Sequence, residues 1–172
     1  MKSYSRFLTI PAFLFASVLL VLGVAAVSPC RAAIPRAESD AERHVLEQLQ
    51  RGAEADLQKE FPSAKFSLDK RRLRGEFLKE LFTNRDPRLQ FPRGINIRHA
   101  AISGEFDLSG AEIPYDVTMS DCIFDAFLEL SNSHFGKNLL FVSDIFGRGV
   151  VFDRGTVEQN FRAVDCNLSR RC

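Results

Sequence analysis

The stretch INIRHAAISGEFDLSGAEIPYDVTMSDCIFDAF, residues 95–127, begins a short repeat that continues to residue 168. Apolar residues recur every eleven positions, and one such series is Ile97, Leu108, Met119, Leu130, Phe141, Phe152 and Ala163. A second series lies two residues earlier, from Ile95 to Phe161, and a third lies five residues later, from Ile102 to Leu168. A fixed short period predicts stacked units that pack on their neighbours in place of a conventional core.

Each unit contains two triplets whose side chains alternate between inside and outside, as in short β-strands. The linkers alternate between two and three residues and are rich in Gly, Pro, Asn and Asp, which tolerate sharp turns. Two units supply four sides, so we predict a square β-helix of 22 residues per coil, with seven units forming about 3.5 coils. At about 4.8 Å per coil, the rod is about 17 Å long.

Several segments of the repeat place a small residue, a polar residue and a large apolar residue in succession. They are Ala111-Glu112-Ile113, Ser133-His134-Phe135 and Cys166-Asn167-Leu168, and Cys122-Ile123-Phe124 is close to the pattern. Residues 94–172 resemble the pentapeptide-repeat proteins in this respect, with a wider 11-residue unit. The resemblance implies a mainly β protein with a right-handed quadrilateral β-helix, no catalytic residues and a binding or scaffold role. Leu73-Arg74-Gly75-Glu76-Phe77-Leu78 also looks like the helical lead-in of bacterial proteins with this wider coil.

The N-terminal residues 1–33 contain an uncharged apolar run, Phe7 to Val27, preceded by Lys2 and Arg6. This pattern is typical of a signal peptide, with cleavage near Ala32 or Ala33, and it predicts export to the periplasm or secretion. The run of 21 residues also fits an uncleaved anchor in the inner membrane. Lipidation of Cys30 is a third alternative.

Charge argues against a nucleic-acid partner. The chain has 23 Lys and Arg and 22 Asp and Glu; removing Lys2, Arg6 and Arg31 leaves 20 and 22, a net charge of −2. Such a balance gives no basic footprint for nucleic acid.

Residues 34–93 are predicted to form a helical segment of two α-helices before the rod. The first runs from about Asp40 to Glu60, with Ser39 and Glu42 as a capping box. The second runs from Ser67 to Phe82. Its basic start, around Arg71 and Arg74, is either a solvated face or a contact for acidic lipid or a partner.

Folding the repeat at 22 residues gives a column of mostly small residues, Ala100, Cys122, Asp144 and Cys166. The two cysteines lie two coils apart, about 10 Å, which exceeds the roughly 7 Å limit for a disulfide. Asp144 is the inward charge of the rod, so it must bond to corner amides or be protonated.

Chemistry-bearing motifs are weak in this sequence. His44, His99 and His134 have no triad or metal-ligand spacing, and no glycine-rich loop precedes a helix. We therefore expect a non-enzymatic binding or scaffold protein without cofactor or metal. The alternative is a membrane-anchored accessory protein with an uncleaved N-terminal helix.

Two surfaces are candidates for contact with partners. Outward apolar residues gather on two adjacent sides around Ile123, Leu140 and Ile145, where either the N-terminal helices or a partner protein covers them. At the last coil, Phe161 and Leu168 are predicted to face an open edge. Either two rods stack there as an end-to-end homodimer, with Cys172 placed to bridge them, or the chain belongs to a longer protein.

Overall fold

The computed structural model describes residues 34–62 and 68–168. The predictions for the N-terminal segment 1–33 and for Cys172 lie outside the described residues.

The repeat folds into short strands separated by corners, beginning directly after Gly94. The strands are β3 (Ile95–Arg98), β4 (Ala101–Ser103), β5 (Phe106–Asp107), β6 (Glu112–Ile113), β7 (Val117–Ser120), β8 (Ile123–Phe124), β9 (Leu128–Glu129), β10 (His134–Phe135), β11 (Leu139–Val142), β12 (Ile145–Phe146), β13 (Val150–Val151), β14 (Thr156–Val157), β15 (Phe161–Val164) and β16 (Asn167–Leu168). Four strands make one coil, so this region holds three coils and a half.

Strands at equivalent positions of successive coils pair in parallel and build the sides of a β-solenoid. Ile97 pairs with Met119, Met119 with Phe141, and Phe141 with Ala163, each step being 22 residues. The described part of the chain has four parallel sheets. The first and second strands of each coil lie in the two longer sheets, and the third and fourth strands lie in the two shorter ones. The structure therefore confirms the mainly β fold and the 22-residue period.

The two-residue corners have left-handed backbone at their second residue, at two positions in each coil. His99, Asp121, Ser143 and Asp165, which follow one another at intervals of 22 residues, all have φ between 53° and 58°. Gly adopts this conformation without steric cost, and among the other residues Asn, Asp and His adopt it most often. Hydrogen bonds between corners hold them: the Asp121 amide donates to the Val142 carbonyl at 2.8 Å, and the Ser143 amide donates to the Val164 carbonyl at 2.8 Å.

Aromatic rings fill the interior of the rod. The ring of Phe124 stacks on that of Phe146 at 4.8 Å, and it also contacts Phe106 at 6.4 Å and Phe141 at 6.2 Å between ring centres. All four side chains are buried. Burial of each ring contributes about 1.5–3 kcal/mol, and favourable ring pairs add about 0.5–1.5 kcal/mol.

The first predicted helix is shorter than expected. Helix α1 (Asp40–Gln50) is capped by Ser39, whose Oγ accepts from the Glu42 amide, and it ends before Gly52, which has φ 69°. Residues 55–56 then form strand β1 (Ala55–Asp56), which pairs with β3, and helix α2 (Leu57–Glu60) follows. The prediction of one helix to Glu60 is wrong because the free edge of β3 recruits Ala55 into the sheet.

The second predicted helix starts eight residues late. A 3-10 turn (Leu68–Arg71) and strand β2 (Arg72–Arg74) precede helix α3 (Gly75–Phe82). Leu73 pairs with Ile102, so β2 extends the sheet of β4. Strands β1 and β2 thus cover the N-terminal edges of two sheets, and α3 packs on β5, where Phe82 contacts Phe106.

Candidate interaction surface

Apolar side chains form a surface on two adjacent sides of the rod, around the corner that joins β11 to β12. We call it the corner patch, and it comprises Ile123, Leu140, Val142, Ile145 and Val164. Ile145 is 38% exposed and Val164 is 37% exposed, while Ile123, Leu140 and Val142 are half-buried. Pairing brings its members together, since Ile123 pairs with Ile145 and Val142 pairs with Val164.

The described helices leave the corner patch uncovered. They lie at the N-terminal end, where α1 contacts β1, β2 and β3 and where α3 contacts β5. The alternative that these helices fold back over Ile123, Leu140 and Ile145 is therefore wrong, because β1 and β2 attach them to the first coil. Val142 and Val164 extend the predicted patch, and their 22-residue spacing was the signal that could have added them.

A polar depression of about 390 Å³ borders the patch at Leu140. Its lining comprises Asp116, Thr118, Asn138, Leu140, Asn160 and Arg162. An amide ladder runs along it: Asn160 Nδ2 donates to Asn138 Oδ1 at 2.8 Å, and Asn138 Nδ2 donates to Asp116 Oδ1 at 2.7 Å. Sequence reasoning missed this ladder, although Asp116, Asn138 and Asn160 share the 22-residue period.

The last described coil exposes a second apolar surface. Phe161 is 48% exposed and Leu168 is 64% exposed, and the Phe161 ring stacks on Phe152 at 5.3 Å. Strands β15 and β16 stand at the outer ends of their sheets within the described residues.

A third feature is a shallow depression of about 600 Å³ between the loop after α3 and the rod. The Tyr115 hydroxyl donates to the Asn84 carbonyl at 2.7 Å and holds the loop in place. The Arg85 guanidinium, which lines the depression, pairs with Glu112 on β6. The charged residues that line the depression, Arg85, Asp86 and Lys137, form ion pairs with Glu112, Arg88 and Asp116 respectively.

The histidines make structural contacts. His99 Nδ1 lies 2.8 Å from Asp56 Oδ1, and the same carboxylate oxygen accepts from the amides of Gln58 and Lys59 at the start of α2. His134 Nδ1 lies 2.7 Å from Thr156 Oγ1. Among residues 34–62 and 68–168, no group of three His, Cys, Asp or Glu side chains is arranged to hold a metal ion.

The predicted inward charge, Asp144, is fully buried behind the corner patch. Its Oδ1 accepts from the Cys122 amide at 2.7 Å, as expected for an inward carboxyl bonded to a corner amide, and its Oδ2 has no hydrogen-bond partner among the described residues. Cys122 and Cys166 occupy the rungs on either side, and both are free thiols. Burial raises the pKa of Asp144 to about 7.

Comparison with known proteins identifies no relative, because no family model, no curated protein and no solved structure matches the chain. Within the described part of the chain, no helix has the length and apolar character needed to cross a membrane.

Proposed function

We propose that this protein is a non-enzymatic binding or scaffold module that holds a partner protein on the corner patch. The observation that carries the proposal is the position of Ile145 and Val164, which are exposed at this corner of the rod and remain uncovered by the described helices. A β-solenoid repeat suits this role because its stacked coils present extended side-chain columns on a fixed backbone.

The chemistry around the patch indicates the kind of partner. Apolar side chains would bury against Leu140 and Ile145, each contributing a few kcal/mol. Arg162 lines the adjoining depression, is exposed and makes no ion pair within the described residues. We therefore expect the partner segment to carry apolar residues beside a carboxylate.

Affinity capture from the source cells, with quantification of bound proteins, tests this role. Ile145→Asp and Leu140→Asp should each abolish capture of the partner, since a charge on the patch opposes burial. Val151→Asp is the matched control, because Val151 is 37% exposed on β13, on another side of the rod. Equal capture by the wild-type protein, Ile145→Asp and Leu140→Asp would contradict the proposal.

We also propose that residues 1–33 direct export, with membrane anchoring by Phe7 to Val27 as the alternative. The uncharged apolar run after Lys2 and Arg6 supports both. N-terminal sequencing of the protein purified from its cells distinguishes them: a start near Ala32 or Ala33 indicates cleavage, and an intact N-terminus in the membrane fraction indicates an anchor.

The relationship to the pentapeptide-repeat proteins is a proposal as well. The four sides and the 22-residue coil support it, together with the small-polar-large segments such as Ala111-Glu112-Ile113. The relationship would imply right-handed coiling and a scaffold role.

The surface at the last described coil is proposed to bind a second copy end to end. Exposure of Phe161 and Leu168 supports this contact. Sedimentation velocity should show a dimer that Leu168→Asp converts to a monomer. A monomer for the wild-type protein at high concentration would contradict it.

A further inference from the structure

Asp144 connects three successive coils at the corner that carries the patch. Its side-chain Oδ1 accepts from the Cys122 amide of the preceding coil at 2.7 Å, and its carbonyl accepts from the Asn167 amide of the following coil at 2.9 Å. Ile145, the exposed residue of the patch, follows it directly and donates from its amide to the Cys122 carbonyl at 2.8 Å. Displacement of Asp144 would therefore disturb Ile145 and the half coil beyond it.

Among the described residues, no Lys, Arg or His balances the charge of an ionised Asp144. The titratable groups around it are Cys122 and Asp121 from the preceding corner and Cys166 from the following one, and Asp165 acts on Cys166. Burial, with Asp144 as the second cause, raises the pKa of the Cys122 thiol, so the thiol stays neutral. Arg98 Nε donates to Asp121 Oδ2 at 2.9 Å, so this guanidinium pairs with Asp121 and not with Asp144.

The second oxygen of the carboxyl marks where a proton would reside. Oδ2 is buried and has no hydrogen-bond partner in the part of the chain that the structure describes, while Oδ1 accepts from the Cys122 amide. A buried charge is costly in an apolar interior, and a proton bound to Oδ2 removes that charge. Ionisation leaves that charge between two thiols, and water can reach it only if the corner opens.

We propose that Asp144 is a proton-dependent pin for the corner patch: with a proton bound the corner is closed and the patch is formed, and without it the corner opens and the half coil after it loosens. This regulation rests on the proposed function of the corner patch. It predicts that partner binding is stronger in mildly acidic solution than in alkaline solution.

The sign follows from proton linkage. The pKa of an unfolded Asp carboxyl is near 3.8, and burial raises the pKa of Asp144 to about 7. Between these pH values the closed state therefore binds one proton more than the open state. Closure therefore weakens as pH rises through this interval, by up to about tenfold in the opening equilibrium per pH unit. The opening equilibrium is independent of pH below about pH 4, and it reaches its highest value above about pH 7.

Hydrogen exchange of the amides of Cys122, Ile145 and Asn167 measures this opening directly. Exchange rates at pH 5, 6, 7 and 8, corrected for the intrinsic pH dependence, should show the opening equilibrium of the wild-type protein rising up to about tenfold per unit as far as pH 7. Asp144→Asn keeps the size and one acceptor oxygen but cannot ionise, so its opening equilibrium should be independent of pH. Asp153→Asn, which removes an exposed carboxylate from a corner on another side of the rod, should retain the wild-type slope.

Equal pH slopes for the wild-type protein and Asp144→Asn would overturn the proposal. Carbon-13 NMR titration of the Asp144 carboxyl gives an answer even where the Asn variant fails to fold: a midpoint near 4 would also overturn it, and a midpoint near 7 supports it. These readouts need no partner. Capture that does not respond to Ile145→Asp would remove the proposed function and leave the exchange slope standing, so the two failures are distinguishable.

Discussion

Replacement of Phe124 by Ala should be among the most destabilising single changes in this protein. The ring is 1% exposed, lies in the second coil and contacts Phe106, Phe141 and Phe146. Removal of a buried Phe side chain costs about 3–5 kcal/mol, and the loss of three ring contacts places this site at the upper end, at about 4–5 kcal/mol.

Urea unfolding followed by circular dichroism measures the effect. With a slope of about 2 kcal/mol per molar, as found for small proteins, the midpoint should fall by roughly 2 M. Phe127→Ala is the matched control: it removes the same atoms from a corner residue that is 52% exposed, and we expect a loss of about 1 kcal/mol or less. A loss below about 2 kcal/mol for Phe124→Ala, or equal losses for both variants, would refute the view that the ring stack holds the coils together.

Three further predictions concern the N-terminal end and its charges. Gly75→Ala should destabilise by about 1–3 kcal/mol, because the new Cβ would overlap the Glu105 carbonyl, whereas Gly136→Ala, with nothing nearer than 3.7 Å, should be close to neutral in thermal melts. Glu42→Ala should cost about 3–5 kcal/mol in urea unfolding, because it leaves Arg74 and the Glu38 amide without their buried acceptor. Glu112→Ala breaks an exposed pair with Arg85 and should cost much less, so similar losses for the two variants would contradict this reasoning. Burial opposes ionisation of Glu42, but hydrogen bonds from Arg74 outweigh burial and hold the pKa of Glu42 below the usual 4.5. The contribution of ionised Glu42 to stability is therefore full above pH 4.5 and is lost as the pH falls through the lowered pKa. Acid unfolding of the wild-type protein should have a component that Glu42→Gln lacks.

Glu42 and Asp144 oppose each other in the response to pH. The first stabilises the N-terminal end once it is ionised, and the second destabilises the corner patch once it is ionised. The stability of this protein should consequently be highest in mildly acidic solution, above the titration of Glu42 and below that of Asp144.

Inside and outside positions along the repeat were predictable because each unit packs on equivalent residues 22 positions away. The inward location of Phe124 and Asp144 followed from counting, as did the outward location of Ile145, and the structure agrees at each of these residues. The 22-residue period also predicts which residues of successive coils contact each other. The Asp116, Asn138 and Asn160 ladder follows this period, but polar corner residues by themselves indicate only turns.

The lead-in segment could not be predicted in the same way. Val45, Leu49, Ala53 and Leu57 share one helical face in the sequence, but the chain leaves the helix at Gly52 and forms β1. Arg72 to Arg74 have good helical propensity, yet they form β2 beside β4. Backbone groups on an exposed strand edge need partners, and that demand outweighs propensity differences below about 1 kcal/mol per residue.

The amino-acid sequence by itself determined the coil, its period and the chemistry of each column, because in a solenoid these depend only on neighbours one coil away. The tertiary structure alone decided how the first coil is covered, which residues pair with the buried Glu42, and that the helices leave the corner patch open. The physical reason is that such contacts join segments without a shared period, so no spacing in the chain encodes them.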